Sequence, residues 1–333
     1  MDRLPFKFVD AVCTLVTNKA LPELSELNGR QWSHLESEHR ENRLELSVQV
    51  MANPQDESFH WILEEYSENL WIDKKCFQFG DLNPRFSRIV RIDGTRLFRT
   101  NTTSWNYEKR DQLAPFFKKI WTMLPDGGNA TFTSIPLQEV LIKHRLFRNV
   151  QSLTLNYVKK YSEVLLSSQK DNTSLQELYL CNWKRPITLE SFDVSNKKDF
   201  KWLNVIGGAK TLSYELVTYF IDRHLEDDDF QGELKGRLDF PSVQLEEYRQ
   251  LQFKEFPYVK CCKQRCNRVF RMDGIIYSWT HNEQTVEIWN DVSTLEIKLR
   301  KRPIDEYKQC RNRQRWQKFD ADFDKIMAAR RQN

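Results

Sequence analysis

Three cysteines stand close together in the last third of the chain, as Cys261-Cys262-x-x-x-Cys266. This spacing falls within the range that zinc ligands use, but a fourth ligand would have to be His281 or Cys310, at no recognised spacing. The sequence favours reduced cysteines beside a strand over a zinc site. We therefore expect no metal and no cofactor.

A second group that could do chemistry is His224 with the acidic run Glu226-Asp227-Asp228-Asp229, which could hold a cation. A solvated helix end or loop explains such a run more simply. No Gly-rich phosphate loop and no G-x-S-x-G nucleophile elbow occur in the sequence. We therefore expect no catalytic residues. An enzyme with an unfamiliar site is one alternative, because catalytic Cys and His partners meet in space rather than in sequence.

Composition and charge narrow the class of protein. The 333 residues are 40% hydrophobic and include 10 Trp, 11 Tyr and 21 Phe, enough for two or three packed units. The 51 basic and 47 acidic residues leave a charge of +4, too small to indicate a nucleic-acid partner. Basic residues cluster near the C-terminus but are interleaved with acidic ones, which predicts a charged, solvated helix.

Neither a membrane nor an export route is indicated. No apolar stretch approaches the length that spans a bilayer, and the N-terminus lacks a signal-peptide pattern. The seven cysteines, an odd number, then read as reduced thiols. We expect a cytoplasmic or nuclear protein.

The elements that must position any binding site begin with three short helices. Phe8, Val12 and Leu15 fall at helical spacing, with Val9 and Val16 beside them, and predict one apolar stripe. A second short helix carries leucines at 21, 24 and 27, and a third carries Trp32 and Leu35. Three such helices hold too few apolar residues for a stable core alone, so the rest of the chain or another protein must cover them.

This pattern resembles an F-box: Leu-Pro, an apolar helix, Leu-Pro-x-Leu-x-x-Leu and then a Trp. The resemblance implies that the helices dock onto the small adaptor subunit of a cullin–RING ubiquitin ligase. The residues that would form the docking and core face are Leu4, Pro5, Val12, Leu15, Leu21, Leu24 and Trp32. Phe6-Lys7-Phe8 replaces the acidic residue that is usual soon after the Leu-Pro. An ordinary helical cap on the next domain is the alternative.

The middle of the chain repeats one apolar pattern, Φ-x-x-Φ-x-Φ, every 25 residues. The three copies are Val150/Leu153/Leu155, Leu175/Leu178/Leu180 and Phe200/Leu203/Val205. This period is typical of leucine-rich repeats, with a strand and a helix in each. Helical spacing over 157–168 and 212–225 supports strand–helix alternation and a parallel sheet. A non-repetitive α/β sheet is the alternative. Trp183 and Trp202 are expected either to pack in the core or to contact the substrate.

Two segments share the consensus Arg-Φ-Φ-Arg-Φ-Asp-Gly, ending at Asp93-Gly94 and Asp273-Gly274. Asp-Gly between strand-forming residues predicts a tight hairpin. The second copy continues into strands separated by turns near 281–283 and 290–291, which predicts an antiparallel meander. The segment 268–289 resembles the strand motif of the F-box-associated domains of nematode F-box proteins.

Together these patterns predict a mixed α+β chain in four regions. They are an F-box-like helical module (1–45), a mixed α/β region with an Asp-Gly hairpin (46–145), leucine-rich-like α/β repeats (146–250), and an antiparallel hairpin region with a charged helix (251–333). The resemblances imply a substrate-recognition adaptor of a cullin–RING ubiquitin ligase, with a protein substrate held by the α/β region. A non-ligase interaction scaffold of the same fold is the other alternative.

Overall fold

The computed structural model describes most of the chain up to residue 300. The described residues are 5–16, 21–27, 30–52, 57–66, 75–94, 105–124, 128–146, 149–206, 212–227, 230–238, 243–246, 248, 254–263, 269–281, 284–290 and 295–300. Within them the side chains of Leu15 and Lys159 are not described. Beyond residue 240 the described side chains are those of Gln244, Leu245, Tyr248, Ile297 and Leu299.

Helices and strands alternate over this part of the chain, so the predicted mixed α/β class is confirmed. The helices are α1 (Phe6–Leu15), α2 (Leu21–Ser25), α3 (Arg30–Asn42), α4 (Leu113–Met123), α5 (Ile135–Lys143), α6 (Lys159–Ser167), α7 (Tyr214–Glu226) and α8 (Val243–Glu246). The strands are β1 (Leu44–Ala52), β2 (Ser58–Glu65), β3 (Cys76–Phe77), β4 (Ser87–Gly94), β5 (Asn106–Lys109), β6 (Asn129–Phe132), β7 (Ser152–Asn156), β8 (Glu177–Cys181), β9 (Trp202–Ile206), β10 (Gly232–Gly236), β11 (Lys254–Lys263), β12 (Val269–His281), β13 (Gln284–Asn290) and β14 (Leu295–Arg300).

The chain packs as two units, one of residues 1–216 with 235–240 and the other of residues 217–234 with 241–333. In the first unit, six strands run parallel in the order β9-β8-β7-β6-β4-β1. At the β1 edge the sheet turns antiparallel, because β2 pairs with β1, β3 and β5 in that sense. The predicted boundary at 145/146 falls inside this sheet, since β6 pairs with β7 across it.

Strands β7, β8 and β9 align at the spacing of the sequence pattern. Leu153 lies opposite Leu178, and Leu178 opposite Leu203, each 25 residues further along the chain. All nine residues of the three apolar triplets are buried. The helix predicted over 157–168 is α6, and the one over 212–225 is α7. Between β8 and β9, however, the described chain forms short 3-10 turns at Leu189–Ser191 and Val194–Asn196 instead of an α-helix.

Two buried polar side chains, Asn172 and Lys197, are also separated by 25 residues. Asn172 Nδ2 donates to the Val150 carbonyl (2.9 Å), and Lys197 Nζ donates to the carbonyls of Asn172 (3.0 Å) and Lys170 (2.7 Å). Both side chains are fully buried, and burial lowers the pKa of the Lys197 ammonium. Each of these two side chains thus ties its own segment of the chain to the preceding segment, through backbone oxygens that would otherwise lack partners.

The Asp93-Gly94 hairpin predicted from the sequence is wrong. Gly94 ends β4, where it pairs with Val50 of β1 and Phe132 of β6, and both neighbouring strands are parallel to β4. A Cβ at Gly94 would lie 2.6 Å from Leu137 Cδ1 and 3.0 Å from the Thr131 carbonyl oxygen. The glycine is therefore required by the close approach of α5 to the sheet rather than by a turn.

The second Asp-Gly is also inside a strand. Gly274 lies within β12 and pairs with Tyr258 of β11, so this hairpin prediction is wrong as well. Strands β11 to β14 pair antiparallel in chain order, with connections at 264–268, 282–283 and 291–294 that fall outside the described residues. The charged helix predicted near the C-terminus lies in 301–333, also outside them.

The remainder of the second unit is built around α7. Phe220 packs on Phe230 with ring centroids 6.0 Å apart, and the Arg223 guanidinium lies 4.2 Å from the centre of the Phe230 ring. None of the helices in the described part of the chain combines the length and the hydropathy needed to cross a bilayer.

Candidate functional site

The candidate site is the helical module, defined as residues 5–43. Helix α1 starts after Pro5, whose carbonyl accepts from the amide of Phe8 (2.9 Å). Proline suits this place because the first turn has no use for its missing N–H. Val9 and Cys13 are fully buried, at the i, i+4 spacing of one helix face.

The buried face of α1 differs from the predicted stripe. Val9, Val12, Cys13 and Val16 turn toward the module's core, whereas Phe8 is 51% exposed. Phe6 is 50% exposed. The stripe was misplaced by about one position, because the sequence offers apolar residues on more than one face of this helix.

Helices α2 and α3 complete a small core. Leu21 and Leu35 are fully buried and Trp32 is 4% exposed, and together with Val9 and Cys13 they form one cluster. Leu24 and Leu27 are only partly buried against it. Among the module's described residues, five form this buried apolar cluster, which is too small a core to stand alone, so the module depends on what it packs against.

Buried and half-buried charges join the module to the chain segment before β4. The Arg85 guanidinium donates to Asp10 (2.8 Å) and to both carboxylate oxygens of Glu38 (2.6 and 2.8 Å). His39, fully buried, lies 2.8 Å from the same Asp10 oxygen and packs edge-on to the Phe86 ring, 5.1 Å away. One network therefore links α1, α3 and residues 85–86.

The ionisation of this network follows from its geometry. Burial opposes ionisation of Asp10, but the hydrogen bonds from His39 and Arg85 outweigh it and lower the pKa of that carboxyl. The hydrogen bond from Arg85 likewise lowers the pKa of Glu38. The two carboxylates in turn raise the pKa of Arg85, Glu38 more than Asp10. The network therefore holds two negative charges around one guanidinium.

Two further arginines donate hydrogen bonds to backbone carbonyls at the C-terminal end of α1. Arg43, just after α3, donates to the carbonyls of Val16 (2.8 Å) and Cys13, and Arg88 of β4 also donates to Val16. Arg88 is only 3% exposed, and burial together with the nearby Arg43 lowers its pKa to about 10. Helix C-termini leave carbonyls without partners and carry partial negative charge, which cations satisfy.

The residues predicted to contact a ligase adaptor fall in different places. Leu21 and Trp32 belong to the module's own core, Val12 and Leu24 are partly buried against it, and Pro5 is exposed. Leu4 lies outside the described residues, and the side chain of Leu15 is not described. The sequence reasoning missed Phe6 and Phe8 as surface residues. Their i, i+2 spacing was the available signal, because two such positions cannot both lie on the buried face of a helix, so at least one of them had to be exposed.

Trp183, Trp202 and His224, which the sequence also singled out, lie in different environments. Trp183 is 2% exposed and packs edge-on to Tyr157 (5.1 Å), so it serves the core, whereas Trp202 is partly exposed on β9. His224 is fully buried, and its Nδ1 lies 2.7 Å from the Phe230 carbonyl oxygen. This contact joins α7 to residue 230, just after the acidic run.

No three His, Cys, Asp or Glu side chains in the described ranges lie close enough together to share a metal ion. Cys261 and Cys262 lie in β11 with side chains that are not described, and Cys266 lies outside the description, so the expectation about zinc stays a prediction. A cavity of about 20 Å³ between the sheet and helices α4–α6 is lined mainly by apolar residues and has the volume of about one water molecule.

The module therefore presents an α1 whose C-terminal end is hydrogen-bonded by two arginines and whose start carries two half-exposed phenylalanines. Large exposed aromatic side chains are the type that anchors protein interfaces. Comparisons with protein-family models, with curated proteins and with solved structures found no match to this chain.

Proposed function

We propose that this chain is a substrate-recognition adaptor of a cullin–RING ubiquitin ligase, in which the helical module binds the ligase adaptor protein. The observation that carries the proposal is the pair Phe6 and Phe8, which are 50% and 51% exposed beside Pro5 at the start of α1. Large exposed aromatic side chains on a small helical unit are of the type that anchors a protein interface. The F-box-like order of the three helices supports the choice of partner.

The attachment of the module to the sheet fits such a role. Arg85 and Arg88 come from the segment that leads into β4 and from β4 itself, and they contact α1 and α3 directly. An adaptor acts by raising the effective concentration of a substrate near the ligase, and a stiff connection keeps the two sites at one separation. We place the substrate on the α/β region and the protein in the cytoplasm or nucleus.

The test is a binding measurement between the purified full chain and the purified ligase adaptor, by isothermal titration calorimetry. Phe6→Asp/Phe8→Asp should weaken binding at least about tenfold, because a few buried aromatic anchors carry most of the energy of an interface. This pair is preferred to core positions such as Trp32, where a substitution would unfold the module.

The matched control is Tyr107→Asp, since Tyr107 is 69% exposed on β5, away from the module. It should bind as the wild type does. A folded wild type that does not bind the adaptor, or a double variant that binds equally well, would overturn the proposal. The first outcome would favour the alternative of an interaction scaffold without a ligase.

A further inference from the structure

The parallel sheet has a polar face on the side away from helices α4–α6. Leu153 and Leu155 of β7 face Trp121, Leu141 and Leu165 on those helices. Because side chains alternate along a strand, the intervening residues lie on the opposite face. On β7 to β9 this polar face comprises Ser152, Thr154, Glu177, Tyr179, Trp202 and Asn204, all partly exposed.

Strand register brings an acid and two aromatic rings together on this face. Glu177 of β8 lies directly opposite Trp202 of β9, and Tyr179 of β8 is the diagonal neighbour of Trp202. The rings of Tyr179 and Trp202 have centroids 6.5 Å apart and planes inclined by 33°. By strand register, Glu177 is thus a neighbour of two aromatic residues on this face.

The negative charge of Glu177 is not balanced by a positive side chain among the polar-face residues of β7 to β9. Arg91 and Asp93 of β4 pair with each other at 2.8 Å and so contribute no net charge. Glu177 forms no ion pair with any side chain in the described part of the chain. A carboxylate flanked by aromatic rings attracts cations both by charge and by cation–π interaction.

We propose that Glu177, Tyr179 and Trp202 bind an arginine or lysine side chain of the protein substrate. The inference rests on the proposed function in that it names the substrate chemistry for the α/β region. Trp202 supplies the ring over which the cation lies, and Glu177 accepts its hydrogen bonds. The polar neighbours Ser152, Thr154 and Asn204 suit the flanking backbone of an extended peptide.

The probe is a fluorescein-labelled eight-residue Gly/Ser peptide with two arginines, beside the same peptide with citrulline in place of arginine. Citrulline keeps the shape of arginine and removes its charge. Fluorescence anisotropy with the full-length chain should show the arginine peptide binding at least about fivefold more tightly than the citrulline peptide. Glu177→Gln and Trp202→Leu should each remove most of that difference.

The control is Glu190→Gln, which removes a charge from an exposed residue in the 3-10 turn after β8 and should leave binding unchanged. Equal binding of both peptides to the wild type, or an undiminished arginine preference in Glu177→Gln, would overturn the proposal. So would absence of binding by a wild type whose circular dichroism shows it to be folded. The ligase adaptor takes no part in this assay, so its outcome is independent of the adaptor-binding test.

Discussion

At the scale of single residues, Asp10 is the charge on which the helical module depends most directly. It accepts hydrogen bonds from His39 and Arg85, one on α3 and the other before β4. Removing this charge leaves His39 without its carboxylate partner and Arg85 with Glu38 alone, at a cost of roughly 1.5–3 kcal/mol. Asp10 is therefore the place where protonation should change the stability of the fold.

The pH dependence has a definite sign. The folded-state pKa of Asp10 lies below the ordinary value of 3.8, so its stabilising contribution is fully present above that value. It is lost as the pH falls from there through the lower folded-state pKa. The free energy of unfolding, measured by urea denaturation from pH 7 to pH 2.5, should show Asp10→Asn less stable than the wild type at pH 7, with the difference narrowing as the pH falls below 3.8.

A suitable control for this series is Asp111→Asn, because Asp111 is exposed on a 3-10 turn before α4. It should follow the wild type at every pH. A gap between Asp10→Asn and the wild type that stays constant down to the lowest pH would show that ionisation of Asp10 is not what stabilises the module.

At the scale of elements, the contact between β4 and α5 sets the position of one helix on the sheet. Gly94→Ala would place a methyl group 2.6 Å from Leu137 Cδ1, closer than carbon atoms can approach. We expect the free energy of unfolding to fall by about 1–3 kcal/mol, the usual cost of overpacking. Chemical denaturation monitored by tryptophan fluorescence measures this.

Gly80 offers the matched comparison, because an added Cβ there meets nothing within 4 Å. Gly80→Ala should change the free energy of unfolding by less than about 0.5 kcal/mol. If both alanine variants were equally stable, α5 would be free to move away from β4, and the glycine would have no packing role.

At the scale of the whole molecule, Arg85 and Arg88 join the helical module to the segment before β4 and to β4 itself. Arg88→Met removes one donor to the Val16 carbonyl at the end of α1, in a buried environment. We expect faster hydrogen exchange of the α1 and α2 amides, with the amides of β7 to β9 still protected, because local units open below the global free energy of unfolding. Exchange read by mass spectrometry separates the two regions.

Arg91→Met, on the same strand, is the control for that measurement, since Arg91 is 42% exposed and pairs only with its near neighbour Asp93 among the ion pairs of the described residues. Its exchange should match the wild type throughout. If Arg88→Met speeded exchange equally in β7 to β9, the module and the sheet would be one cooperative unit, and Arg88 would not be a local attachment.

Local spacing in the sequence was sufficient to predict strands β7 to β9 and several helices. Leu153, Leu178 and Leu203 recur at one interval, and a strand or helix face is determined by residues only a few positions apart. The mixed α/β class and the helices α6 and α7 followed from such patterns. Burial of Leu21, Trp32 and Leu35 together was predictable for the same reason.

The rest was decided by tertiary structure, because it depends on which elements become neighbours. Asp93-Gly94 has the local signature of a turn, yet strands from distant parts of the chain pair with it on both sides. The exposure of Phe8 depends on how α1 rotates against α3. The sequence alone would predict a surface position for Lys197. Its burial depends on the carbonyls of Asn172 and Lys170, which accept its hydrogen bonds in the folded chain. The grouping of Glu177 with Trp202 likewise follows from register between strands, which no short stretch of sequence contains.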